Sequence, residues 1–311
     1  MNDSLTRDSE PTSPDACPSR TALVLGGGGS TGNAWLIGVV AGLVEAGLDV
    51  TEADLIVGTS AGSTAAAQIT GASPTQLLAD ILAATPPAPT RPDRSGRGPA
   101  PTRSATDHLE RTSALIAAAE DAAAMRCRMG AAALDLAAEL DDSVQTRWRA
   151  TVATRLPSQL WPRRRVLITA VDARTGEPVV FDRHSWVDLV DAVAASCASG
   201  FAYRIGDAWY IDGGYRSNAD NADLAAGYAR VLVLSPFGGR SLTPVRWGLH
   251  LATQADELRA GGSRVETVFP DSSSEHLFGA NAMNPSLRPP AARVGYDHGR
   301  ALAERLAEFW R

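Results

Sequence analysis

Residues 53–71 read ADLIVGTSAGSTAAAQITG, and the order of residue types in that stretch decides the fold. The apolar run 53–58 ends on Gly58, as a strand covered on both faces does. Residues 60–71 are dominated by Ala, Ser and Thr, and read as a helix whose small side chains allow close approach to a sheet. The same pattern occurs once earlier. Residues 21–26 (TALVLG) form an apolar run ending in glycine, and 33–47 (NAWLIGVVAGLVEAG) read as a helix closed by Gly47. Strand, glycine turn and helix, twice in succession, predict an α/β protein: a mostly parallel central sheet flanked by helices in three layers.

Beyond this core the pattern breaks and then resumes. Residues 85–104 (TPPAPTRPDRSGRGPAPTRS) are rich in Pro and Arg without periodicity and read as a mobile loop. An Ala-rich helical region follows over roughly 106–156. Within it Leu140, Val144, Trp148, Val152 and Leu156 fall four apart, one stripe on a helix. Such a stripe points to a packed insertion over about 85–160 before it points to a lid. Strands are expected at 165–171, 178–182 and 230–234, helices at 186–198 and 296–310, and a strand-like 208–211 leads into Asp212. The C-terminal helix has apolar positions at Leu302, Leu306 and Phe309. Residues 1–20 are polar and Pro/Ser-rich, a disordered tail before one domain over 21–311.

Composition narrows the function. The 311 residues carry a net charge of −6, which argues against a general nucleic-acid binder. No run approaches the ~18 apolar residues of a membrane-spanning helix, and no secretory h-region is visible at the start. Cys17, Cys127 and Cys197 are odd in number and scattered, as reduced thiols in a cytoplasm are. No Cys/His cluster has metal-ligand spacing.

Three glycine-rich sites remain. Gly58-Thr59-Ser60-Ala61-Gly62 fits G-x-S-x-G between a strand and a helix. A nucleophilic serine on so sharp a turn needs neighbours without bulk, and the helix N-terminus behind it favours an oxyanion. The plainer alternative is a capping serine in an ordinary turn. Residues 26–32 (GGGGSTG) open the first helix and contain G-x-G-x-x-G, so an NAD(P)-binding oxidoreductase is the rival. That reading needs an acidic residue about 20 positions on, and Glu45 and Asp49 end no clear strand. The other reading is an oxyanion hole formed by the amides of Gly27, Gly28, Gly29 and Ser30, with Gly32 supporting the turn. Asp212-Gly213-Gly214 is by itself a common Asp-Gly turn, or a strand-end carboxylate placed to meet another backbone.

These three segments, in this order, resemble the patatin-like phospholipase family: a glycine-rich loop, then G-x-S-x-G, then D-G-[GA]. Here they are GGGSTG (27–32), GTSAG (58–62) and DGG (212–214). The stretches LITAVDARTGEPVVF and AASCASGFAYRI, and Asn218 after the third motif, look similar too. The resemblance implies a patatin-like fold and a lipid acyl hydrolase with a Ser-Asp dyad, Ser60 as nucleophile and Asp212 as general base. It implies no metal or organic cofactor, and a lipid or other acyl ester as the partner molecule. Partial desolvation by the substrate is expected to raise the Asp212 pKa from its ordinary ~3.9 toward that of a useful base. Thr31 departs from the pattern, since the family usually carries Arg or Lys there. The loss of that charge implies altered preference or rate, with a catalytically inactive lipid-binding relative as the further alternative.

A Ser-His-Asp hydrolase would need a histidine after the acid. His250, His276 and His298 follow Asp212, His184 precedes it and His108 lies in the insertion, none in a strand-end setting. Trp148, Trp161 and Arg163-Arg164-Arg165 raise peripheral contact with an anionic membrane, against the plainer reading of a solvated basic turn. Acyl chain length, headgroup and oligomeric state are not legible in the sequence.

Overall fold

The computed structural model describes residues 20–84 and 105–311. The loop expected over 85–104 and the tail over 1–20, apart from Arg20, lie outside them. The elements are β1 (Thr21–Leu25), α1 (Gly29–Glu45), β2 (Leu55–Gly58), α2 (Ala61–Ile69), α3 (Pro74–Ala83), α4 (Ala105–Ala117), α5 (Ala122–Ala138) and α6 (Asp142–Ala153). After them come β3 (Arg165–Asp172), β4 (Pro178–Phe181), α7 (Leu189–Ser196), β5 (Tyr203–Ile205) and β6 (Ala208–Asp212). The chain closes with β7 (Arg230–Leu234), α8 (Leu251–Ala260), β8 (Arg264–Val268) and α9 (Arg288–Trp310).

β3, β2, β1, β7 and β8 form a parallel sheet with β1 at its centre. Alternation along the strands splits the core into two layers. Leu23, Leu25 and Ile56 face one cluster with Trp35, Val193 and Leu306, while Ala22, Val24 and Val57 face another with Leu251 and Leu258. Helices α1, α2, α3, α7 and α9 cover the first face and α8 the second. The expected three-layer α/β architecture is the observed one. β4, β5 and β6 are antiparallel additions.

Strand β3 brings the distant motifs together. Ile168 pairs with Gly58 and with Phe181, and Ala170 pairs with Asp212 and with Val179. A strand residue has only two edges. Because β4 holds one edge from Ile168 to Val171, β2 and β6 must share the other. They approach head to head along it, β2 ending opposite Ile168 and β6 opposite Ala170. Two steps along β3 at ~3.3 Å each, with Thr169 between, separate the ends.

The helical region over roughly 106–156 is made of three helices, α4, α5 and α6. Trp148, Val152 and Leu156 pack into the core as the stripe predicts, but Leu140 is exposed. It lies in the turn before α6, where Asp141 accepts the Ser143 N–H and starts a new helix. α9 begins at Arg288, well before the expected 296, because prolines are tolerated in a first turn. α9 lies so close on α1 that a Cβ on Gly38 would stand 2.1 Å from the Ala292 carbonyl, and one on Gly295 would stand 2.4 Å from that of Trp35.

Candidate active site

Ser60 stands between β2 and α2 with φ 52° and ψ −116°, a conformation L-residues avoid. Strain of this kind costs about 1–3 kcal/mol and persists only where neighbours over-determine it. Here they do. The Ser60 N–H donates to the buried Ser196 Oγ at 2.9 Å, and its carbonyl accepts from Ser63 Oγ at 2.6 Å and Cys197 Sγ at 3.0 Å. Burial, and then the nearby Asp212 charge, push the Cys197 thiol up to about 11, so it remains a donor. α2 crosses the end of β1 so tightly that a Cβ on Gly62 would lie 1.9 Å from the Leu25 carbonyl. Thr59 is buried, with Oγ1 2.9 Å from Thr169 Oγ1 and 3.0 Å from Asn221 Nδ2.

The Ser60 hydroxyl donates to Asp212 Oδ2 at 2.8 Å. The other carboxylate oxygen accepts the Gly214 N–H at 2.8 Å, and the Asp212 N–H donates to the Ala198 carbonyl at 3.0 Å. Burial raises the Asp212 pKa to about 6, against the two hydrogen bonds that pull it down. Desolvation is thus a property of the fold itself, where the sequence reading assigned it to the arriving substrate. Gly213 lies against β3, where a Cβ would meet Thr169 Oγ1 at 2.1 Å.

The glycine loop borders the same point, since a Cβ on Gly27 would start 3.5 Å from the Ser60 Cβ. Its amides are not equivalent. The Gly27 N–H donates to the Ala219 carbonyl at 2.7 Å, which removes Gly27 from the expected donor set. Thr31 donates to the Ala282 carbonyl and Gly32 to that of Gly28. The N–H groups of Gly28, Gly29 and Ser30 have no acceptor among the described residues. They sit at the positive N-terminal end of α1, beside the N-terminal end of α2 at Ser60. Asn218 stands behind the loop. Its Nδ2 donates to the Leu249 carbonyl and Gln254 Oε1, and its Oδ1 accepts the Asp220 and Asn221 N–H groups. It pins the turn whose Ala219 carbonyl holds Gly27.

A cation does stand at this loop, although position 31 is Thr. Arg288, at the start of α9, donates through Nη1 to the Ser30 carbonyl at 2.7 Å and to its Oγ at 3.2 Å. Nη2 donates to Asn33 Oδ1 at 3.1 Å. Asn33 in turn donates to Gln68 Oε1 at 2.9 Å. No sequence signal marked Arg288 or Gln254, because each partner is remote in the chain; Ser196 lay inside the AASCASGFAYRI stretch without a role assigned to it.

The residues do not fit a dinucleotide. Gly28 and Gly32 face Pro236 and Gly29 faces the Ala282 carbonyl, so protein fills the close approaches the glycines allow. Asp49 caps Thr51, and Glu45 accepts the Tyr296 hydroxyl, both away from a strand end. No histidine bonds to Ser60 or Asp212 among the described residues. His250 meets the Thr243 carbonyl, His276 that of Ser273, and His184 follows β4 in an exposed turn. His298 packs on Trp35. His108 bonds to Ser199 Oγ at 2.9 Å. Trp148 and Trp161 are half-buried and donate to the Ala194 and Val187 carbonyls, while Arg164 pairs with Glu52. Trp161 and the arginines precede or begin β3, at the end of the sheet away from Ser60; Arg163 and Arg165 are exposed there, as in a solvated basic turn.

The class so defined is a three-layer α/β protein with a hydroxyl–carboxylate pair where parallel strands end and two helices begin. The family model Patatin-like phospholipase matches residues 23–225, more than half of the chain, and the chain belongs to that family. No curated protein matches. Among solved structures the chain is similar to VipD from Legionella pneumophila at 13% identity, covering 93% of this chain and 67% of that one, with a TM-score of 0.42. It is also similar to the type III effector protein ExoU at 17% identity, covering 93% of this chain and 53% of that one, with a TM-score of 0.38. The chain thus spans about half the length of the latter. No helix among the described residues is long and apolar enough to cross a membrane.

Proposed function

We propose that the chain is a lipid acyl hydrolase that cleaves carboxylic esters through Ser60 and Asp212. The observation that carries this reading is the 2.8 Å hydrogen bond between the two side chains at a strained strand-to-helix turn. Asp212, ionised above pH 6, takes the hydroxyl proton as Ser60 Oγ attacks the ester carbonyl. Negative charge develops on the former carbonyl oxygen and is received by the amides of Gly28, Gly29 and Ser30. The intermediate collapses, Asp212 returns the proton to the leaving alcohol, and an acyl-serine remains. Water attacks that ester with Asp212 again as base, releasing the fatty acid and restoring Ser60. Membership of the family supports a lipid as the substrate class, and a pKa of about 6 suits a base at neutral pH better than an ordinary carboxylate does.

The test uses an activity-based fluorophosphonate and a panel of esters of rising acyl length. Wild type should be labelled and active, while Ser60→Ala should be neither and Asp212→Asn should lose turnover by at least a hundredfold. Labelling that persists in Ser60→Ala would overturn the assignment. A wild type inert to every ester and to the probe would favour a lipid-binding relative without catalysis.

A further inference from the structure

Large apolar side chains exposed to water are few among the described residues, and five of the eight gather at one end. Leu242 and Val245 follow β7, and Phe269 follows β8. Met283 adjoins Ala282, against which Gly29 packs, and Leu109 lies on α4. Because β1, β2, β7 and β8 are parallel, the segments after them emerge at the end where Ser60 stands. The segments form a connected rim. Arg240 pairs with Glu275 at 3.3 Å, and a Cβ on Gly239 would touch the Phe269 ring at 3.5 Å. Trp247, two residues from Val245, shares a cluster with Ile116 of α4 and with Tyr215, close after Asp212. α4 packs in turn beside residues 279–281, next to Met283.

We propose that this rim is an interfacial docking surface for a zwitterionic phospholipid bilayer, seated so that the Ser60 site opens onto the membrane. The proposal rests on the acyl-hydrolase reading for its purpose, but its binding step is independent of catalysis. Three features favour a bilayer. The apolar side chains come from four separate segments around a reacting centre, so the occupant must leave the middle free and feed an acyl ester into it. On the rim Arg240 is paired with Glu275, and Arg246 is a single cation laid over the Trp247 ring, so no cluster of free cations faces outward there. The whole chain carries −6, which opposes an anionic surface. Insertion is therefore apolar, and each side chain entering the acyl boundary strengthens partition about tenfold.

The experiment co-sediments the full chain with phosphatidylcholine vesicles, and in parallel with vesicles containing anionic phosphatidylglycerol, at low and at high salt, and measures hydrolysis of the phosphatidylcholine vesicles and of a soluble short-chain ester. Val245→Asp and Met283→Asp replace side chains that are 73% and 64% exposed, so folding is undisturbed. Leu160→Asp, an 80% exposed residue just before β3 at the opposite end, is the control. Wild type and the control should bind the phosphatidylcholine vesicles at both salt concentrations. Each rim variant should bind about tenfold more weakly and lose vesicle hydrolysis in proportion, with soluble-ester turnover unchanged within about twofold. Rim variants that bind as wild type does, wild type that ignores the phosphatidylcholine vesicles, or binding confined to anionic vesicles at low salt would overturn the proposal. Loss of all ester hydrolysis by wild type, with vesicle binding intact, would instead remove the acyl-hydrolase reading.

Discussion

The Asp212 carboxyl allows one prediction to be worked through in both activity and stability. Burial lifts its pKa from 3.8 to about 6. If only the ionised form can take the Ser60 proton, kcat/KM follows the ionised fraction, which falls roughly tenfold between pH 8 and pH 5. At 3.8 the same interval would change the rate by only about 5%. The stability sign is opposite. A carboxyl whose native pKa is raised holds its proton more tightly when folded, so its contribution is fully present below about 3.8 and is lost as pH rises through about 6. Ionisation in the native state costs on the order of 3 kcal/mol, at ~1.4 kcal/mol for each tenfold. Roughly half of that cost is incurred between pH 5 and pH 8. Asp212→Asn removes the charge, so its stability relative to wild type should improve by about 1.4 kcal/mol over that interval while turnover is abolished. Asp220, buried behind the glycine loop and lifted to about 7, titrates in both proteins and cancels in the comparison. The assay is kcat/KM for a soluble ester on a protein carrying Asp220→Asn, paired with urea unfolding of the Asp212 variant and its parent at pH 5 and pH 8. A flat rate profile, or a stability difference that does not change with pH, would refute the reasoning.

Three further outcomes follow from the site. Ser60→Gly should raise unfolding stability by about 1 kcal/mol while ending turnover, since glycine adopts a φ of 52° freely; urea melts check it. Arg288→Ala removes the guanidinium from Ser30 and Asn33, and should lower kcat about tenfold with little change in KM. Arg288→Lys should restore only part of it, because an ammonium cannot fork across two acceptors. His276→Ala should leave soluble-ester kcat/KM within about twofold of wild type, since its ring meets only the Ser273 carbonyl; a larger loss would reopen a histidine-based mechanism.

What could be read directly from the chain was local. Residues 53–71 disclose strand, turn and helix because the constraint acts over a few positions: Gly58 and Gly62 leave room at once for Ser60 and for the carbonyl of Leu25. The same holds for Asp212, whose strand and glycines adjoin it. Amide availability in the glycine loop was not legible. Gly27 and Gly28 are chemically alike, and only the tertiary position of Ala219 ties one down and leaves the other free. The tryptophans were ambiguous for a related reason. Trp161 beside three arginines has the composition of a membrane edge, yet its indole N–H meets the Val187 carbonyl and its ring packs on the core.

The deepest gap concerned how two motifs 152 positions apart come to touch. An apolar run ending in Asp-Gly-Gly reads the same whether its strand runs with the sheet or against it. A strand running parallel beside β2 would also deliver its C-terminal turn to the Ser60 end, so the proximity of the two motifs does not by itself tell the two directions apart. β6 is antiparallel and occupies the half of the β3 edge that β2 leaves vacant, because β2 stops at Gly58 after four residues while β3 continues to Asp172. The excess length of β3 is what makes room for the carboxylate. A β2 extended by two residues would claim the register of Ala170 and displace Asp212, so the elbow at Gly58 both presents the hydroxyl and admits its partner. The G-x-S-x-G turn and the Asp-Gly-Gly turn are thus two ends of one interrupted edge, with Thr169 between them hydrogen-bonded to Thr59 and pressed against Gly213.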